Sequence, residues 1–293
     1  MSVGEWLDAT FTMYRRNFAL IASISAVVQI PYALLTLLLF EVTGVAAFVR
    51  SPFTSISGQT LTPAQAQTLL NSLSGVLAVS LGLLIVSLLI VLPLGEAATT
   101  RAVSDRYLDN RSSLGAAYGA TWKRLPSLIA YILIIVGASL VLIIALVIVV
   151  TLFAAAGAAV VGAVVGLVAA AVLAFAVAVR TVIAVPAIVL ERVSGWGGLK
   201  RSWNLVSGRF WPTFGRWILL GIISGIMSGV VTTILDVPAS SLDPNNAFIY
   251  DQVASTVASV FIGPITYIGV TLLYYDARIR KEGFDIEMLA RSL

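Results

Sequence analysis

The sequence predicts an all-α polytopic membrane protein with six transmembrane helices and amphipathic helices lying at the cytoplasmic interface. Composition is the first observation: 59% of the 293 residues are hydrophobic and only 11% are charged, against about 25% charged in a soluble domain, and the mean hydropathy is +1.00. Segmentation is the second. The apolar residues gather into six blocks, Phe18–Phe40, Gly75–Thr99, Leu128–Leu152, Ala158–Leu190, Phe214–Leu235 and Val253–Tyr275, each matching the roughly 20 residues of helix that cross a ~30 Å hydrocarbon layer. None alternates with period two, which excludes a closed barrel, the other structure that satisfies its backbone in lipid.

Before the first block, Val3, Trp6, Leu7, Thr10, Phe11, Tyr14 and Phe18 form an i, i+3, i+4, i+7 stripe opposite Glu5, Asp8, Thr12 and Arg15, the pattern of a helix lying on a membrane surface. The block itself has no A-x-A cleavage pattern after it, so it is expected to be retained as a span rather than removed as a leader. The connector SPFTSISGQTLTPAQAQ is polar, and its Thr62-Pro63 reads as a cap and first-turn proline starting the helix of the second span. The fourth block is longer than a bilayer requires and is expected to tilt or protrude. Small residues recur along it every four positions (Ala154, Ala158, Gly162, Gly166, Ala170, Ala174, Ala178), and the fifth carries Gly221, Gly225 and Gly229. Such stripes allow close helix approach, and contact between these two consecutive spans is expected, with a homo-oligomer seam as the alternative. Beyond the sixth block, Asp276 with Arg280 and Arg278 with Glu282 stand at i, i+4, Gly283 is placed to end the helix, and Phe284, Ile286, Met288 and Leu289 are expected to fold the tail back.

Orientation follows from the cations. Sixteen of the eighteen Lys and Arg fall on one side of this topology, Arg50 falls on the other, and Arg180 lies within a span. Positive loops stay in the cytoplasm, so both termini are expected inside. Trp6, Trp122, Trp196, Trp203, Trp211 and Trp217 all lie on the basic side, where indoles anchor at headgroups, and Tyr274 and Tyr275 are expected to anchor the last span in the same way. Within a single membrane domain, 1–293, three units of short helix plus hairpin can be drawn at 1–108, 109–192 and 193–293. Each unit has an aromatic-basic segment before its first span and a proline (Pro93, Pro186, Pro264) in its second.

Chemistry is sparse. With no His and no Cys, the commonest general base and metal ligand and all thiolate chemistry are missing; no phosphate loop or nucleophile elbow is present, and neither catalysis nor a cofactor or metal is expected. The basic segments alternate with Trp, Phe and acids beside the spans, which suits anionic lipid headgroups rather than nucleic acid. Inside the spans, Arg180 requires a partner or a wet cavity, and Glu96, just after Pro93, is its expected partner, either as a structural tie or as a headgroup site.

The segments LLYYDARIRKEGFDIEMLA, GLKRSWNLVSGRFWPTFG and LDATFTMYRRNF resemble bacterial six-span proteins labelled as the glycerophosphoryl diester phosphodiesterase membrane domain, related in pattern to the YciC-like family. In that family the catalytic acids, histidines and metal ligands belong to a separate domain, so the resemblance implies a module of the bacterial plasma membrane without the enzyme's chemistry. The expected function is therefore a non-catalytic module that organises or binds lipids or partner proteins at its cytoplasmic face. The residues expected to form that interface are Trp6, Arg15, Arg16, Trp122, Arg201, Trp203, Arg209, Trp211, Tyr274, Tyr275, Asp276, Arg278 and Arg280. The alternative is a small transporter or lipid-handling permease working through the Glu96 and Arg180 region.

Overall fold

Three prolines mark the points where long helices of this chain break. A proline lacks the N–H that would bond the carbonyl four residues earlier, and its ring crowds that carbonyl; for Pro93, Pro186 and Pro264 those carbonyls belong to Leu89, Val182 and Val260. In a computed structural model, which describes residues 1–44, 62–243 and 246–283, each of these sites ends one helix and starts another. A π-helical turn, Ser87–Val91, precedes Pro93; a two-residue turn precedes the short helix of Pro186; and a one-residue turn at Ile262 precedes Pro264. Pro31 and Pro238 lie inside unbroken helices, so a proline alone does not impose a break.

The elements run α1 (Val3–Arg16), α2 (Phe18–Val42), α3 (Pro63–Val86), the π turn, α4 (Leu92–Tyr107), α5 (Leu114–Trp122), α6 (Leu125–Ala155), α7 (Ala159–Thr181), α8 (Ala184–Leu190), α9 (Gly195–Val206), α10 (Phe210–Leu242), α11 (Ala247–Phe261) and α12 (Gly263–Glu282). No strand occurs among the described residues. Six stretches are long and apolar enough to cross a membrane: Phe18–Val42, Leu69–Tyr107, Leu125–Ala155, Ala159–Leu190, Phe210–Ser241 and Ala247–Glu282. These are the six expected spans, the even-numbered ones each made of two helices in series. Arg50, most of the first connector and the tail residues Phe284, Ile286, Met288 and Leu289 lie outside the described residues. The helix that leads into span two begins at Pro63, and α12 ends at Gly283 with φ 66°, both where the sequence places them.

Burial is uneven. In the most apolar stretch of span six 61% of residues are buried, against 28% at most in the others and none in span three. Span six is therefore the hub. Its half α12 runs beside α4 in the same direction: a Cβ at Gly95 would lie 3.9 Å from the Tyr267 ring, the Thr271 hydroxyl donates to that of Thr100 (3.1 Å), and the Tyr275 and Ser104 hydroxyls are 2.7 Å apart. The short half α8 packs against both, so the three helices that follow the breaks meet one another. Each is buttressed by a short helix: α1 on α12, α5 on α4 and α9 on α8.

The helix α1 starts with a capping box, in which the Ser2 hydroxyl accepts from Glu5 N–H and the Glu5 carboxylate from Ser2 N–H. Its stripe is spent on protein. Trp6 is fully buried and its indole N–H donates to the Gly269 carbonyl at 3.1 Å. This approach requires glycine, since a Cβ at 269 would meet Leu220 at 2.3 Å and the Trp6 ring at 3.2 Å. Trp6 is thus a core residue and not the lipid anchor expected from its position, because span six runs antiparallel beside α1, with Met1 at Asp276, Trp6 at Gly269 and Tyr14 at Phe261, and covers the face that composition alone assigns to the membrane.

The small-residue stripes also find other partners than expected. A Cβ on Gly162 or Gly166 would strike Phe153 at 2.3 Å or Leu146 at 2.6 Å, both on α6, while Gly221, Gly225 and Gly229 have open space beside them. The close seam therefore lies between spans three and four. A hairpin brings those two together before span five arrives, and α9 intervenes between α8 and α10 in the chain.

Candidate functional site at the basic end

The end of the bundle that carries most of the Lys and Arg is organised by two carboxylates. Asp276, buried on α12, faces the guanidinium of Arg216 at 2.5 Å, that of Arg280 at 3.0 Å and the amine of Met1 at 2.9 Å. Arg216 and Arg280 also donate to the Met1 carbonyl, at 2.7 and 2.9 Å. Glu191, just past α8, accepts from Arg201 at 2.7 and 2.8 Å and from the Tyr274 hydroxyl at 2.7 Å. Arg201 reaches onward to Glu282, which Arg278 also contacts at 3.2 Å. Bonding to Glu282, opposed by burial and assisted by Glu191, raises the Arg201 pKa above the ordinary arginine value and fixes its charge.

The i, i+4 pairs expected in α12 are both present. Their role is internal. Arg201, Asp276, Arg278 and Arg280 tie α8, α9, α10 and α12 together, and Tyr274 and Tyr275 are buried with their hydroxyls on Glu191 and Ser104. The two tyrosines are therefore not surface anchors: they sit on the α12 face turned toward α4 and α8, and burial supplies the partners that headgroups would otherwise supply. Tyr14, on α1, likewise gives its hydroxyl to the Phe261 carbonyl at 2.5 Å, and burial raises its pKa. Arg216 and Glu191 anchor both networks although the sequence reading did not single them out. Arg216 carries a signal, since it stands inside the apolar run that opens span five.

The expected Glu96–Arg180 ion pair does not form. Thr181 lies beside Tyr131, which faces Glu96, and the preceding residue on a helix points about 100° away. Arg180 accordingly turns to α9, where its guanidinium carbon lies 4.4 Å from the centre of the Trp203 ring, and its carbonyl accepts from the Ser202 hydroxyl at 2.8 Å. A cation over an indole face is attracted by the ring quadrupole, but none of the guanidinium donors finds a carboxylate. Among the described residues the same is true of Lys200, Arg15, Arg16 and Arg209.

Trp203 and Lys200 line a groove of about 610 Å³ between α6, α7 and α9, and Arg180 stands next to it, over the Trp203 ring. Its apolar wall comes from residues such as Ile134, Ala138 and Val177, and its other side from Trp196, Lys200 and Trp203. Local sequence places that side. The Ser194 hydroxyl caps α9 by accepting from Gly197 N–H at 3.1 Å, and Gly195 lies flush against α6, where a Cβ would meet the Ser127 carbonyl oxygen at 2.5 Å. The buried face of α9 is Gly195, Gly198, Leu199, Ser202, Leu205 and Val206. The helical spacing of Leu199, Trp203, Val206 and Phe210 predicts one apolar stripe opposite Lys200, but Trp203 shares the outer face with Lys200; the glycines at 195 and 198 let the helix turn its small face inward. Trp122, Trp196 and Trp211 are exposed at 64, 66 and 70%.

Residues 158–288, which hold spans four to six and α9, match a family described as the membrane domain of glycerophosphoryl diester phosphodiesterase. This is the family that the three basic-side segments resemble. No curated protein and no solved structure matches the chain.

Proposed function

From a family that names a membrane domain, and from a greasy groove bordered by unpaired cations, we propose that this chain is a non-catalytic membrane module that binds anionic phospholipid at its basic end. The observation that carries the reading is the groove between α6, α7 and α9. Its volume falls within the ~300–1,000 Å³ of small-molecule sites, its long wall is apolar, Lys200 lines it and Arg180 reaches its Trp203 wall, and neither cation has a carboxylate partner. An acyl chain satisfies the wall, and a phosphate satisfies the cations through charge-assisted hydrogen bonds. The exposed indoles of Trp196 and Trp203 suit the boundary between chain and headgroup. Positive charge concentrated at this end favours the cytoplasmic leaflet of the plasma membrane, with both termini in the cytoplasm.

Native mass spectrometry of the purified protein in mild detergent tests the reading. Wild type is expected to retain anionic phospholipid in preference to zwitterionic lipid, Lys200→Gln and Arg180→Gln to lose the preference, and Ala138→Trp, which fills the groove, to lose the lipid. Equal retention of both lipid classes by wild type, or unchanged retention in all three variants, overturns it. The same spectra report subunit number. A second reading, a small permease, is favoured by one observation: the three broken even-numbered spans bring their basic-end halves together, the arrangement in which discontinuous helices build midplane sites.

A further inference from the structure

Glu96 is left over by everything described so far. It sits one turn into α4, within span two and next to the buried Ala97 that packs on α8, and no hydrogen bond or ion pair reaches its carboxyl group among the described residues. Thr99, one turn further along, is fully buried, and its hydroxyl also has no partner.

The neighbourhood offers no charge of the opposite sign. From α6 and α12 the titratable groups close enough to interact with Glu96 are the phenols of Tyr131 and Tyr267. The α8 sequence AVPAIVL carries no titratable side chain. From α2, Tyr32 gives its hydroxyl to the Leu83 carbonyl at 3.2 Å, and from α5, Tyr118 gives its hydroxyl to the Ile24 carbonyl at 2.5 Å. On α4 itself Arg101 is held by Asp105 at 2.9 Å, and on α7 Arg180 is turned to Trp203. A carboxylate in apolar surroundings without a cation is costly, and the group neutralises by taking up a proton. The oxygens nearby, one hydroxyl and two phenols, are too few to replace the hydration shell of a metal ion. Intramembrane carboxyls placed in this way mark proton relays in pumps and transporters.

We propose that Glu96, with the Thr99 hydroxyl beside it, is a proton-binding site at the junction of the three broken spans. The proton is held on the carboxyl group while α4, α8 and α12 are packed together, and its release leaves a charge that draws water between them. The proposal does not rest on the lipid groove, so either can fail alone.

Carbodiimide labelling tests it, because dicyclohexylcarbodiimide is apolar and reacts with protonated carboxyl groups in membranes. In native membranes, peptide analysis is expected to find an adduct on Glu96. Its yield is expected to fall about tenfold for each pH unit above the midpoint. The adduct is expected to vanish in Glu96→Gln. Thr99→Val, which keeps the buried shape, is expected to retain the adduct and shift its midpoint. Gel filtration of both variants separates these results from loss of fold. No adduct in well-folded wild type, a yield unchanged between about pH 5 and pH 9, an unshifted midpoint in Thr99→Val, or suppression by sodium ions at fixed pH overturns the proposal.

Discussion

Replacing Asp276 by Asn tests whether the basic end is held by charge or merely decorated with it. The substitution keeps the side-chain shape and removes the counter-ion of Arg216, which is 7% exposed and 2.5 Å away. Arg216 then keeps only the Met1 carbonyl at 2.7 Å, and stranding one member of a buried pair costs about 3–5 kcal/mol. Arg216→Met is milder. Asp276 then still has Arg280 and the Met1 amine, so the loss is about 1.5–3 kcal/mol, that of one charged hydrogen bond. With about 2–4 °C lost per kcal/mol in larger domains, Asp276→Asn is expected to melt on the order of 10 °C below wild type. The double variant should cost clearly less than the sum, a coupling of about 2 kcal/mol lying within the range for contacting residues. Size-exclusion thermal melts of detergent-solubilised protein measure all four corners of the cycle. Additive losses, or an Asp276→Asn melt within about 2 °C of wild type, would refute the reasoning.

Two further outcomes follow from the packing. Trp6→Phe keeps most of the buried ring but leaves the Gly269 carbonyl without its indole donor, and is expected to cost about 1–3 kcal/mol, read in the same melts; a neutral result would mean that water or lipid replaces the bond. Gly162→Ala brings a Cβ to 2.3 Å from that of Phe153, whereas Gly221→Ala meets nothing within 4 Å. The first is expected to lose about 1–3 kcal/mol by overpacking and the second to stay within about 0.5 kcal/mol of wild type, and a reversed order would place the close seam between spans four and five after all.

Much of the architecture is legible in the sequence because lipid removes options. Six apolar blocks of bilayer length can be little else, and all six spans appear where hydropathy puts them. The α12 pairs and the Gly283 stop are legible for a local reason, since i, i+4 spacing and a positive φ need no tertiary information. Partners were harder to read. Trp6 and Tyr274 carry the composition of interfacial anchors, and only the packing of α1 and α8 against α12 makes them interior. Arg180 and Glu96 each demand a partner, but a sequence does not reveal that Thr181 occupies the face between them. The groove is built where α9 lies against the α6–α7 hairpin, and that contact depends on the absent side chain at Gly195.

The placement of α1 on α12 also bears on how the protein is made. Trp6 and the carbonyl it binds are 263 residues apart, so at about 5–20 residues per second α1 waits roughly 10 to 50 s after its synthesis for its docking surface. During that time its tryptophan face has only the membrane surface or a helper protein to lie against. The amphipathic pattern that resembles a permanent surface anchor serves in this light as a waiting position, and insertion of the final span is the event that calls the first helix home.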